Sequence, residues 1–197
     1  MAKLVYLMNV SLDGYVADAS GSLAWTRMDE ELHSWFNEQQ RRTAVELYGR
    51  RLWETMTPYW PEAASDPNTM PVELEYAEAW LATPTVVFSR TLESVGWNGR
   101  LVREDPIGEL KRISAELPPD AEVSVGGPTL ATPFVQRDLV DEYRLLVHPA
   151  VVGNGLPFWP PLERPLRLEL VEQRRFRSGV VLIGYRSLHQ SAEDLQP

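Results

Sequence analysis

The chain has 197 residues, of which 44% are hydrophobic and 10% aromatic, enough for one globular domain with a core of its own. It has no cysteine, which excludes a disulfide framework and a thiolate metal site. The formal net charge of -9 argues against nucleic-acid or anionic-membrane partners, yet a few local arginines can still hold a small anionic ligand in one cleft.

In chain order, KLVYLMNV (3–10) reads as a strand. Asn9 and Ser11 interrupt this apolar stretch, which is too short for a signal peptide or a membrane span, so a soluble cytoplasmic protein is expected. SLDGYVADASGSLAW follows as loop. MDEELHSWFNEQQRR (28–42) fits an amphipathic helix with Leu32, Trp35 and Phe36 on one face. TAVELYG reads as a short strand and GRRLWETM as a helical turn or two, while TPYWPEAASDPNTMP (57–71) is a proline-punctuated loop. VELEYAEAWLAT is helical, PTVVFSR is a buried strand, and RLVRE offers a further short strand. DPIGELKRISAEL (105–117) is a helix with Asp105 as its N-cap. EVSVGGPTLATPFV (122–135) runs from strand to helix, and LVDEYRLLVHPAVV (139–152) is a long strand. GNGLPFWPPLERP is loop, and the last β segments flank Ser178-Gly179 as a hairpin. Residues 1–190 read as one domain without repeats, and 191–197 as a polar tail.

Strands alternating with helices up to residue 150 imply an α/β fold, a mostly parallel sheet flanked by helices, with the terminal hairpin antiparallel at one edge. Ligands of such sheets bind beyond the carboxyl ends of the strands. Three seams fall there: Tyr48-Gly49, Ser89-Arg90 and Gly126-Gly127. The glycine pair serves either a tight turn or the close approach of a ligand phosphate to a helix start. Arg50 and Arg51 occupy the first turn of a helix, where cations are unfavourable unless solvent or an anion faces them. Ser89 and Arg90 offer a hydroxyl and a guanidinium suited to a phosphate monoester. VGGPTL is neither the Rossmann fingerprint nor a P-loop.

Taken together, these blocks resemble the dihydrofolate-reductase-like superfamily, and most closely the reductase domain of the bifunctional riboflavin-biosynthesis deaminase-reductase. NVSLDGYVADASGSLAW is similar to that family's opening strand and loop, and YGRRLWETM to its glycine-arginine helix start. VVFSRTL and VGGPTLA match two later cofactor segments, and LVDEYRLLVHPAVVGNGLPFW the LVDE strand and its glycine-rich loop. The resemblance implies a three-layer fold and NADPH as cofactor. It would place Gly49, Arg50, Arg51, Ser89 and Arg90 at the adenosine and phosphate end. Gly126, Gly127, Pro128, Thr129 and Leu130 would lie over the pyrophosphate, with Trp25 near the cofactor. It also implies a homodimer, which would cover the VVLIGY run of the hairpin as an edge.

The departures fall at the substrate end. Val125 stands where the riboflavin-pathway reductases have a glutamate, Leu23 where they have a serine, and Leu32 where dihydrofolate reductases carry an acid. Trp25, Trp35, Phe36, Trp53, Tyr59 and Trp60 offer either pocket walls or core packing. Asp13 is the candidate proton donor, with a loop-aspartate role as the alternative. Glu54 is a second candidate. His33, His148 and His189 read as surface or structural, and no metal-ligand spacing is present. The leading expectation is an NADPH-dependent reductase of a small heterocyclic or carbonyl substrate, nominally like 5-amino-6-(5-phosphoribosylamino)uracil reductase. A bifunctional enzyme is not expected, because the companion deaminase's zinc motif is missing. The alternatives are a dihydrofolate or pterin reductase and a non-catalytic NADPH-binding protein.

Overall fold

Apolar residues fall on both faces of the inner strands, as in Leu4, Val5 and Tyr6, the pattern of a sheet covered on both sides. The structure, a computed structural model, describes residues 2–189, so the expected tail at 191–197 lies outside the described residues. The elements run β1 (Lys3–Ser11), β2 (Tyr15–Asp18), α1 (Glu30–Arg42), β3 (Thr43–Gly49), α2 (Arg50–Met56), α3 (Trp60–Ala63), α4 (Pro71–Ala82) and β4 (Thr85–Phe88). Then come β5 (Gly99–Val102), α5 (Pro106–Glu116), β6 (Glu122–Gly126), α6 (Pro128–Gln136), β7 (Glu142–His148), β8 (Gly155–Pro157), β9 (Leu168–Arg175) and β10 (Val181–Ser187).

Eight strands form one sheet in the order β5-β4-β3-β6-β1-β7-β10-β9. The six from β5 to β7 are parallel, whereas β10 is antiparallel to both β7 and β9. On one face Tyr6, Val125 and Tyr143 pack with Ile113 of α5 and Phe134 of α6. On the other, Leu32 and Trp35 of α1 meet Leu146 and Leu182, and Tyr48, Trp53, Tyr76 and Trp80 pack beneath α2 and α4. The three-layer α/β architecture is therefore the observed one.

Local chemistry accounts for the helix ends. Asp29 caps α1 by accepting from Leu32 N at 2.8 Å, with Glu30 and Glu31 in the first turn and Arg41 and Arg42 in the last, as the helix dipole favours. Asp105 caps α5 through Ile107 N and Gly108 N.

Four sequence expectations change. The 57–71 segment contains the one-turn helix α3, which starts with proline at its second position, and it ends where α4 begins. The two segments read as loops pair with each other: β2 and β8 form a separate antiparallel ribbon through Ala17↔Leu156 and Asp18↔Gly155. β7 stops at His148, just before Pro149. Finally, VVLIGY is not the edge. Most of it is β10, paired on both sides, and the edge on that side of the sheet is β9, where Leu170 and Val171 face solvent.

At the amino ends of the parallel strands, the buried Arg144 donates from Nε to Glu142 at 2.5 Å. From Nη1 and Nη2 it donates to both Glu122 oxygens at 3.0 Å, and Nη1 also reaches Gln39 Oε1 at 2.8 Å. Lys3 and Arg42 add cations to the same pair of carboxylates. A buried charge is tolerable only with this degree of pairing.

Candidate functional site

Because β3 pairs with β6 in register Tyr48↔Gly126, the seam at Gly49 and the seam at Gly126-Gly127 lie side by side. The strand order also reverses there: β3 leads outward to β4, and β6 leads across β1 to β7, a topological switch point. A cleft of about 400 Å³ opens over the seams, lined by Gly49, Arg50, Arg51, Phe88, Gly126, Gly127, Pro128, Thr129, Leu130 and Leu156. It adjoins a second hollow of about 680 Å³ that shares Arg51, Gly127, Pro128 and Leu156 and reaches Asp18, Gly21 and Leu23. The β2–β8 ribbon supplies that far wall. A β-carbon at Gly155 would sit 2.0 Å from the Ala17 carbonyl oxygen, so only glycine permits the pairing.

The three glycines of the seams have different physical reasons. At Gly126 a β-carbon would come within 2.3 Å of Leu52 Cδ2, so any larger residue there would have to push the Leu52 side chain aside. Gly127 has φ 92° and ψ 125°, a backbone that other residues adopt only with strain, and nothing lies within 4 Å of where a β-carbon would stand. Gly49 has an ordinary extended backbone, and its nearest neighbour would be Leu130 Cβ at an unstrained 3.8 Å. The fold does not demand glycine at position 49, which lines the open cleft.

The chemistry of the cleft suits an anion. Neither Gly49 nor Gly127 caps its helix with a side chain, so the first N–H groups of α6 have no side-chain acceptor. Arg50 donates to both Glu54 oxygens at 3.1 Å. That pairing answers the question of what faces the first cation and turns Glu54 into its partner. Arg51 is exposed and makes no side-chain hydrogen bond or ion pair among the described residues.

The remaining expected residues lie outside the cleft. Ser89 is buried, and its hydroxyl accepts from Thr91 N and Leu92 N, closing a turn. Arg90 is exposed at the end of β4, two residues past the Phe88 that pairs with Gly49. Trp25 donates to the Ser22 carbonyl and meets the His148 ring edge-on at 5.7 Å. Asp13 accepts from Val152 N at 3.2 Å and Gly153 N at 2.8 Å. The Ser11 hydroxyl, and after it these backbone bonds, hold its carboxyl below the usual range, so it ties two loops together as an acceptor. Val125 and Leu32 are core residues, and Leu23 is exposed at the rim of the second hollow.

A third, inner cavity, of about 220 Å³, lies between the sheet and α1 and shares Leu52 and Gly126 with the cleft. Phe36, Met56 and Trp60 are among its walls, whereas Trp35 and Trp53 are core and Tyr59 is exposed. His33 also lines it and is buried, contrary to a surface reading. The Val72 carbonyl accepts from Asn37 Nδ2, which turns Asn37 Oδ1 toward His33 Nδ1, so that ring nitrogen carries the proton.

The residue that sequence reasoning missed is Glu46. It stands on β3 in phase with Tyr48, faces this cavity and is 5% exposed. Burial pushes its carboxyl up to about 7, against side-chain hydrogen bonding with Tyr48 and Gln40 that acts in the other direction. A carboxylate between Val45 and Leu47 in a strand buried on both faces was the available signal.

Among the described residues, no group of three histidine, cysteine, aspartate or glutamate side chains is placed to hold a metal ion. Likewise, no helix among them is long and apolar enough to cross a membrane.

A mostly parallel sheet in this order, glycine-floored where β3 and β6 end and completed by an antiparallel hairpin, is the dihydrofolate-reductase-like architecture. Within it, the chain belongs to the RibD C-terminal domain family, whose model matches residues 2–113 and 122–182. An uncharacterized Bacillus subtilis strain 168 protein, YyaP, is 30% identical over 184 residues, covering 93% of this chain and 94% of the relative. Among solved structures, a Shewanella sp. PV-4 protein assigned to riboflavin biosynthesis matches with a TM-score of 0.73 at 21% identity, covering 95% of this chain and 99% of that one. The Thermotoga maritima diaminohydroxyphosphoribosylaminopyrimidine deaminase/5-amino-6-(5-phosphoribosylamino)uracil reductase matches with a TM-score of 0.63 at 17% identity, covering 94% of this chain and 56% of that one.

Proposed function

We propose that the chain is an NADPH-dependent reductase of a small ring-shaped or carbonyl substrate, diverged from 5-amino-6-(5-phosphoribosylamino)uracil reduction and working as a soluble cytoplasmic homodimer. The observation that carries the cofactor reading is the convergence of Gly49, Gly126-Gly127, the uncapped start of α6 and the unpaired Arg51 in one cleft. That donor set fits a phosphorylated dinucleotide, with no side chain at Gly49 or Gly127 to obstruct it.

In this reading Gly126 through Leu130 hold the pyrophosphate, and Arg50 and Arg51, with Arg90 outside the cleft, hold the adenosine end. A guanidinium with no carboxylate of its own favours the extra phosphate of NADPH over NADH. Bound NADPH would supply a hydride to an electrophilic carbon of the substrate. Leu52 and Gly126 line both the cleft and the inner cavity, so the two adjoin there. Glu46, whose carboxyl burial pushes up to about 7, is the better candidate proton donor, whereas Asp13 is held below the usual carboxylate range. The dimer reading moves to β9, whose outer edge carries Leu170 and Val171.

Calorimetric titration of the full chain with NADPH and, separately, NADH tests the proposal. Tight binding of NADPH with much weaker binding of NADH supports it. Absence of binding by either nucleotide would remove the reductase reading.

A further inference from the structure

We propose that Asn9 orients the cofactor: its side-chain amide, turned by His148, donates to the carboxamide oxygen of the nicotinamide ring, with His148 as the positioning residue behind it. The identity of the ring rests on the NADPH reading of the cleft; the direction of the amide does not.

Asparagine is depleted in strands, yet Asn9 interrupts the apolar run of β1. Its neighbours decide which way it points. The main-chain N–H of Arg27 donates to His148 Nδ1 at 2.9 Å, so that nitrogen has no proton and Nε2 carries it. His148 Nε2 then donates to Asn9 Oδ1 at 2.8 Å, which leaves Nδ2 on the other side of the amide. Asn9 lines the inner cavity, and its Nδ2 makes no hydrogen bond among the described residues. A structural asparagine in this protein looks different. Asn37 turns Oδ1 to His33 and donates from Nδ2 to the Val72 carbonyl and to Glu75, so both ends are used.

The order of the sheet selects the ligand group. With the adenosine end beyond β3 and β4 and the pyrophosphate beyond β6, the next strand along, β1, receives the nicotinamide end. Gly127 N donates to Met8 Sδ at 3.3 Å, which holds the end of β1 against the glycine seam. Asn9 is the next residue and opens into the inner cavity, which adjoins the cleft at Leu52 and Gly126. Its Nδ2 is a donor only, so it calls for an acceptor, and the carboxamide oxygen is the acceptor that the nicotinamide ring carries. A bond there fixes how the ring lies against the substrate.

The probes are NADPH, its thionicotinamide analogue and its acetylpyridine analogue, each titrated calorimetrically into the full chain. The first analogue replaces the oxygen acceptor with a weaker sulfur one, and the second keeps the oxygen. Wild type should bind the thionicotinamide form about five-fold or more weakly than NADPH, and the acetylpyridine form within about two-fold of it. Asn9→Leu should weaken NADPH by a similar factor and bring the thionicotinamide form within about two-fold of it. His148→Leu should act as Asn9→Leu does, and His148→Gln, which keeps an N–H donor toward Asn9, should restore the wild-type ratio. Nitrogen NMR of the free wild type should find His148 protonated at Nε2 and not at Nδ1 at neutral pH. The Asn9→Leu comparison and the NMR decide the matter even if His148→Leu does not fold. Tight NADPH binding with the same analogue ratio in wild type and Asn9→Leu, or a proton on His148 Nδ1, would overturn the proposal and leave the reductase reading intact. No binding of NADPH by wild type would remove both.

Discussion

The main-chain N–H of Arg27 donates to Nδ1 of His148 across 2.9 Å, tying the loop before α1 to the end of β7. A backbone amide can only donate, so Nδ1 carries no proton and Nε2 donates to Asn9 Oδ1 at 2.8 Å. The ring is fully buried, and burial lowers its pKa from 6.5 to about 4.

Acid should therefore weaken the fold through this residue. Because the folded pKa is depressed, its contribution is complete above pH 6.5 and is lost as the pH falls toward 4. Between pH 7 and pH 4.5, urea unfolding should show wild type losing about 2 to 3 kcal/mol more than a His148→Gln variant. Parallel losses in the two proteins would refute the assignment.

The three seam glycines should separate by substitution to alanine. Gly127→Ala should cost about 1 to 3 kcal/mol, because its backbone is strained for any residue with a β-carbon. Gly126→Ala should displace Leu52 from the wall it gives to both cleft and cavity. Gly49→Ala should leave stability within about 0.5 kcal/mol of wild type while weakening NADPH, since its space belongs to the cleft. Chemical denaturation combined with nucleotide titration distinguishes all three.

Arg51→Ala should reduce NADPH affinity by about ten-fold or more, the value of one charge-assisted hydrogen bond. Arg50→Ala should do less, because Arg50 already shares its charge with Glu54. The gap should narrow at high salt, where exposed charges are screened. Equal effects of the two substitutions on affinity would contradict this ordering.

Arg144→Met should destabilise the protein by about 3 to 5 kcal/mol, leaving Glu122 and Glu142 buried with Lys3 and Arg42 as their remaining cations. A urea titration measures it. A change below 1 kcal/mol would mean that those outer cations suffice.

The sequence by itself determined most of the strand-and-helix order and the two glycine seams over which the cleft opens. Those signals are local: Gly126-Gly127 and Pro128 mark a strand-to-helix turn whatever surrounds them, and Asp29 and Asp105 cap the helices that follow them. The hairpin at Ser178-Gly179 was equally legible, since Gly179 takes the positive φ its turn requires. Only the tertiary structure decided the rest. β2 and β8 are too short to show a period, and their partners lie far apart in the chain. Glu46 reads as an ordinary strand residue until α1 covers that face of β3, because alternation assigns a side to a side chain but not the depth of what packs over it. Asp13 and His148 likewise acquire their roles from backbone N–H groups distant in sequence, and hydrogen bonds to main chain leave no mark in residue identity.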